Sequence, residues 1–95
     1  MKKVFLKNVI ENLVKLHQNL YLAERTSDRR SRGKNIREAR CAISDYAQSL
    51  PGEILSYIDT YVGVNALSYQ WCTTDLGRSI EVLQEWEMSL SNEEL

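Results

Sequence analysis

Apolar residues recur every three or four positions along most of the chain, the spacing that places them on one face of an α-helix. The first such segment runs from Lys2 to about Glu24, and its polar residues fall on the opposite side. Val14 and Leu22 widen the apolar face, so we expect this helix to contact neighbours on more than one flank. The face itself consists of Leu6, Val9, Ile10, Leu13, Leu16, Leu20 and Tyr21.

The most regular pattern in the chain predicts a second helix over residues 36–50. The stretch before it, residues 25–35 (RTSDRRSRGKN), contains no apolar residue. This composition predicts a solvated connection, although its arginine content also permits a frayed helical end. Ser31 or Asn35 is a candidate cap for the helix that follows. The apolar stripe of the helix consists of Ile36, Ala39, Ile43, Tyr46 and Leu50.

Pro51 and Gly52 interrupt this pattern, because proline disfavours a helical conformation in the residue before it. A third segment, residues 53–62, again has helical spacing. Residues 58–64 also alternate with a period of two and are rich in β-branched and aromatic side chains, so a strand is the alternative within residues 54–64. The length of the segment and the lack of an obvious pairing strand favour a helix. Gly63 then fits a C-terminal cap.

A last helix is predicted from Thr73 or Thr74 onward, because a threonine followed by Asp75 is a typical N-terminal signal. Residues 64–72 form an aromatic-rich connection or a short helical turn, and residues 91–95 form a polar, frayed tail. The stripe of this helix consists of Leu76, Ile80, Leu83, Trp86 and Leu90. Residues 1–95 are thus predicted to be one all-α domain, a compact antiparallel four-helix bundle or a related small helical domain.

Composition agrees with a single small helical domain. The chain has 95 residues, and its four glycines and one proline are too few for a turn-rich β-sandwich. No apolar run approaches the roughly 20 residues that a membrane span needs, and polar residues from Lys7 onward interrupt any secretory signal. We therefore expect a cytoplasmic protein without a membrane partner. In that compartment Cys41 and Cys72 are expected to be reduced and mostly buried.

The residues give little support for catalysis or for a bound cofactor. Cys41, Cys72 and His17 are one ligand short of a tetrahedral zinc site, and the glycines stand singly rather than in a phosphate-binding loop. His17 falls beside the apolar face of the first helix, where a structural histidine is the expected role. No spacing of serine, histidine and aspartate suggests a triad. We expect no cofactor, no metal and no enzymatic activity.

The strongest functional signal is the distribution of charge. Residues 1–40 contain eleven lysines and arginines against four acids, whereas residues 41–95 contain one arginine, Arg78, against nine acids. One interpretation is that two oppositely charged hairpins attract each other within the fold. The other is that a charged face binds a partner. The carboxylates of the acidic half could occupy a basic groove, or they could form a solvated helix face.

The basic half concentrates its cations between Arg25 and Arg40. Arginine makes paired hydrogen bonds to carboxylate or phosphate, so this cluster predicts an anion-binding surface. Aromatic residues around Tyr69 and Trp71 are either core or the anchor of an interface, since tyrosine and tryptophan dominate binding hot spots. The candidate partner-binding residues are Arg29, Arg30, Arg32, Lys34, Arg37, Arg40, Tyr69 and Trp71.

These features favour a small, non-catalytic regulatory or inhibitory protein that binds a larger macromolecule through charged patches and an aromatic anchor. The favoured partner is a protein. The alternative is a nucleic-acid-associated accessory protein that uses the cluster from Arg25 to Arg40. A third class is the structural homodimer, because short bundles often complete their cores by association.

Overall fold

The computed structural model describes residues 2–69 and 72–90, with the backbone alone at residues 72–74. It contains four α-helices: α1 (Lys3–Glu24), α2 (Arg29–Gln48), α3 (Gly52–Tyr61) and α4 (Cys72–Ser89). The described residues form no strand, so the strand alternative for residues 54–64 is wrong. The predicted all-α class, a small helical bundle, is confirmed. The predicted tail, residues 91–95, lies outside the described residues.

Helix α1 makes the most extensive helix–helix contacts of the bundle, with α2 and with α4. The wide apolar face predicts contact on two flanks, and α1 has such contacts. Three residues of that face, however, take no part in them because they are exposed. Tyr21, Val14 and Leu22 are 48%, 43% and 57% exposed. The buried side consists of Leu6, Val9, Ile10, Leu13, Leu20 and Ala23.

Helix α2 begins at Arg29. The prediction of a connection over residues 25–35 is therefore wrong for residues 29–35, which are helical. The N-cap is Asp28, whose carboxylate accepts a hydrogen bond from the Ser31 N–H at 2.9 Å, rather than Ser31 or Asn35. Arginine and lysine are good helix formers, and the missing apolar residues reflect a helix face that lies in solvent. The connection between α1 and α2 is therefore short.

The second half of α2 joins the core, while α3 and the segment after it close one end of the bundle. Ile43 is fully buried, and Cys41, which the composition predicts to be buried, is exposed because it lies on the outer side of the helix. The Gly63 N–H donates to the Ile58 carbonyl at the end of α3, as expected of a C-terminal cap. The remaining core residues beyond α1 are Ala47, Leu50, Ile54, Ile58, Ala66, Leu67, Leu76, Ile80 and Leu83.

Helix α4 starts at Cys72, and the predicted caps Thr73 and Thr74 have side chains outside the described part. Its apolar stripe is confirmed, with Val82 and Ser79 buried in addition. Ser79 is tolerated inside because its hydroxyl donates to the Asp75 carbonyl at 3.0 Å, which satisfies the polar group.

The bundle is elongated, with extents of 48 × 22 × 19 Å. Helices α1 and α2 form a hairpin, so the turn at residues 25–28 lies at one end. Because α3 follows the far end of α2, it lies at the other end. The first half of α2 therefore belongs to the turn end of the molecule, and α3 belongs to the opposite end.

Replacing Ile43 by alanine tests the core. The side chain is fully buried in the main cluster, so Ile43→Ala should lower the free energy of unfolding by about 2–5 kcal/mol. Urea denaturation followed by circular dichroism measures the change. Val14→Ala is the control, because Val14 is 43% exposed and should cost much less. Equal stability of Ile43→Ala and the parent would contradict this packing.

Candidate binding surface on helix α2

The outward side of the first half of α2 is basic. Arg30, Lys34 and Arg37 follow one another at steps of four and three, so they share one helix face, and all three are exposed. They span about 10 Å along the helix axis. We call these three residues the basic face. Exposed Arg29 lies at its start, and exposed Cys41 lies one turn beyond its end.

Arg32 does not belong to the basic face, although the sequence groups it with the other candidates. It is half-buried, and its guanidinium Nη1 donates to the Thr26 carbonyl at 3.3 Å. The Asn35 amide donates to the Thr26 hydroxyl at 3.2 Å. Both contacts fix the start of α2 to the turn, so Arg32 is a structural residue here.

Arg40 lies on another side of α2, next to the segment that follows α3. Its guanidinium carbon is 5.9 Å from the centre of the Tyr69 ring, and both side chains are half-buried. The structure thus brings together two of the predicted site residues, but as partners of each other. Trp71, the other predicted anchor, lies outside the described residues, so its role stays a prediction.

Asp28 is the acid nearest in sequence to the start of the basic face, and the fold uses it as a cap. Hydrogen bonds from Ser31 lower the pKa of Asp28 below its ordinary value, and the nearby Arg32 charge acts in the same direction. The carboxylate is therefore ionised at neutral pH. Its hydrogen bond to the Ser31 N–H directs it to the helix end rather than to Arg30 or Lys34.

The first half of α2 is attached to the rest of the bundle by few apolar side chains. Between Arg29 and Ala42 no residue is fully buried, and only Ile36 and Ala39 pack against the core, both half-buried. Gly33 has open space where a side chain would lie. On the side facing α1 a shallow groove of about 400 Å³ remains, lined by Asn19, Leu22, Ala23, Thr26, Asn35, Glu38, Ala39 and Ala42.

The aromatic residues of α3 and α4 divide between packing and surface. Tyr57 and Trp86 are half-buried and stack with their ring centres 4.3 Å apart, so both belong to the packing between α3 and α4. Tyr61 is 58% exposed, so it is not core. Sequence periodicity alone does not reveal the pairing of Tyr57 with Trp86, because the two rings come from different helices.

Few features of the described residues suggest other chemistry. His17 is exposed and lies near Gly77 of α4, on the flank rather than within the core. Among residues 2–69 and 72–90 no three His, Cys, Asp or Glu side chains are placed to hold a metal ion. In the same ranges no helix is both long and apolar enough to cross a membrane.

In the comparison with known proteins, no family model matches the chain, and no curated protein or solved structure shows significant similarity to it. Any functional conclusion therefore depends on the surface itself.

The Asp28 cap makes a pH-dependent contribution that can be measured. Because its pKa is lowered in the folded state, Asp28 stabilises the protein above the pKa of the unfolded chain, and the contribution is lost as pH falls through the folded pKa. Asp28→Ala should therefore be less stable than the parent near neutral pH. The difference should shrink below about pH 4. Urea denaturation at several pH values measures it; a difference that grows in acid would contradict the assignment.

Proposed function

We propose that the protein acts by stoichiometric binding rather than by catalysis, and that the basic face of α2 contacts an acidic surface of a larger protein. The observation that carries the proposal is the position of Arg30, Lys34 and Arg37. All three are exposed on one helix face at the turn end of an elongated domain. Such a face can present several cations to one partner simultaneously.

The chemistry of the face suits carboxylates. The guanidinium groups of Arg30 and Arg37 can each make two parallel hydrogen bonds to a carboxylate, and Lys34 adds a compact charge between them. Two acids lie close to the face in sequence. Asp28 precedes α2 and caps it, and Glu38, one turn after Lys34, is exposed and lines the groove toward α1; within the described part of the chain neither makes a salt bridge with Arg30, Lys34 or Arg37. A partner with acidic side chains would therefore be attracted over a distance and then held by paired contacts.

The size of the face favours a protein over a nucleic acid. Three cations within about 10 Å reach few phosphates, so binding to duplex DNA would be weak at physiological salt. Single-stranded nucleic acids are usually held by aromatic rings that stack on bases. Arg30, Lys34 and Arg37 are followed on their side by Cys41 and not by an aromatic residue.

Two triple variants with the same loss of charge test the proposal. Arg30→Ala with Lys34→Ala and Arg37→Ala removes the basic face, whereas Lys2→Ala, Lys7→Ala and Lys15→Ala remove three exposed lysines from the α1 side. Parent and variants are used as bait in nuclease-treated lysate of the native host, and the captured proteins are identified by mass spectrometry. We expect a specific partner to be lost with the α2 variant and kept with the α1 variant.

The kinetics with the purified partner complete the test. Removal of the basic face should slow association about ten-fold or more at low salt, because surface charges steer the encounter. Equal binding by the two triple variants would contradict the proposal. A second pair of results would also contradict it: the parent retards DNA or RNA in a gel shift, and proteins are captured only from lysate that was not treated with nuclease. That pair indicates the nucleic-acid alternative.

A further inference from the structure

Three aromatic rings form a continuous series across α3 and α4. The Tyr57 and Trp86 rings stack with centroids 4.3 Å apart and planes 16° apart. The Tyr57 ring also contacts the Tyr61 ring, with centroids 4.6 Å apart and planes 45° apart. Because Tyr57 and Trp86 are half-buried while Tyr61 is 58% exposed, the series leads from the α3–α4 interface to a ring that solvent reaches.

The two helices that carry these rings are acidic. Together α3 and α4 contain six carboxylates and one cation, Arg78, whose Nη1 pairs with the Glu81 Oε2 at 3.2 Å. Exposed Glu85 directly precedes Trp86. Burial is the main cause that raises the pKa of Tyr57, and the neighbouring Tyr61 hydroxyl and Glu85 carboxylate raise it further.

The end of α3 adds negative potential at the same place. Tyr61 is the last residue of the helix, and the N–H groups of Val62 and Gly63 both donate to the Ile58 carbonyl. The last carbonyls of a helix carry partial negative charge, which attracts cations. An exposed tyrosine, the carboxylate of Glu85 and a helix C-terminus are thus found together at the end of the bundle away from the turn.

We propose that this surface, which we call the aromatic-acidic surface and define as Tyr57, Tyr61, Trp86 and Glu85, docks a lysine- or arginine-rich segment of a partner protein. Charge complementarity selects the occupant, because the quadrupole of an aromatic ring and a carboxylate both attract ammonium and guanidinium groups. Glu85 repels phosphates and acidic peptides. The surface lies at the opposite end from the basic face, where exposed Lys2 and Lys7 of the α1 start also lie, and its own charged residue is the acid Glu85. The proposal does not depend on the function proposed above.

A fluorescent octalysine peptide is a suitable probe for the full chain, with an octaglutamate and an uncharged peptide of the same length as ligand controls. Fluorescence anisotropy at low salt should show binding of octalysine but not of the uncharged peptide. Octaglutamate should bind only at the basic face, so its binding should be lost in the triple alanine variant of Arg30, Lys34 and Arg37, while octalysine binding is kept. Tyr61→Leu keeps the side chain apolar but removes the ring, so the affinity should fall roughly two- to five-fold. Tyr61→Phe should bind like the parent. Tyr21→Leu is the matched control, because Tyr21 is also exposed but lies near the turn end.

The carboxylate is tested in the same way. Glu85→Gln should weaken octalysine binding and reduce its salt dependence, whereas Glu24→Gln, an equal charge change at the turn end of α1, should do neither. Circular dichroism and thermal unfolding of each variant verify that the fold is intact.

Three outcomes would overturn the proposal. The first is equal weakening by Tyr61→Leu and Tyr21→Leu, or by Glu85→Gln and Glu24→Gln, because octalysine would then respond to net charge alone. The second is no binding of octalysine by the parent. The third is salt-sensitive self-association in sedimentation velocity that Tyr61→Leu abolishes, because the occupant would then be a second copy of this chain.

Discussion

The need to bury α1 on two sides is the constraint on which the other elements depend. Its core side chains are long aliphatic residues such as Leu6 and Leu13, both fully buried. Each fully buried leucine contributes about 1.5–3 kcal/mol relative to an exposed one. A domain of this size has no second core to add, so α2 and α4 must both pack against α1. The short α3 then closes the end that remains.

This arrangement leaves the first half of α2 only partly attached. The core holds α2 firmly at Ile43 and Ala47, whereas toward the turn it holds the helix only through half-buried Ile36 and Ala39. Polar contacts from Arg32 to the Thr26 carbonyl replace apolar burial there. A helix that is fixed on one side by such contacts has its other side available for a partner, which is where the basic face lies.

Hydrophobic periodicity predicts those elements whose stripes face the core, and it fails where a helix faces solvent. The α4 stripe from Leu76 to Leu90 is predictable because each member contacts the core. The first two turns of α2 carry no apolar residue, so their helical state depends on the Asp28 cap and on helix propensity, which are weaker signals. For Tyr21 the periodicity errs in the opposite direction, because it predicts a core residue where the side chain is exposed. The Arg25 guanidinium lies over the Tyr21 ring, 3.9 Å from the ring centre.

The two candidate surfaces differ in how far the sequence predicts them, because one lies on a single helix and the other depends on a contact between two helices. The spacing of Arg30, Lys34 and Arg37 can be read from the sequence once the helix is known to begin at Arg29. The contact of Tyr57 with Trp86 cannot, because it depends on how α3 and α4 meet in space.

Native-state amide hydrogen exchange tests the central claim most directly, namely that α1 and the core half of α2 hold the fold while the basic half of α2 is attached to it by few contacts. Local openings require less free energy where few side chains are buried. The amides of residues 33–38 should therefore exchange through openings of lower free energy than those of residues 9–20 and 43–47. Equal protection of all three stretches, at the free energy of global unfolding, would contradict the account.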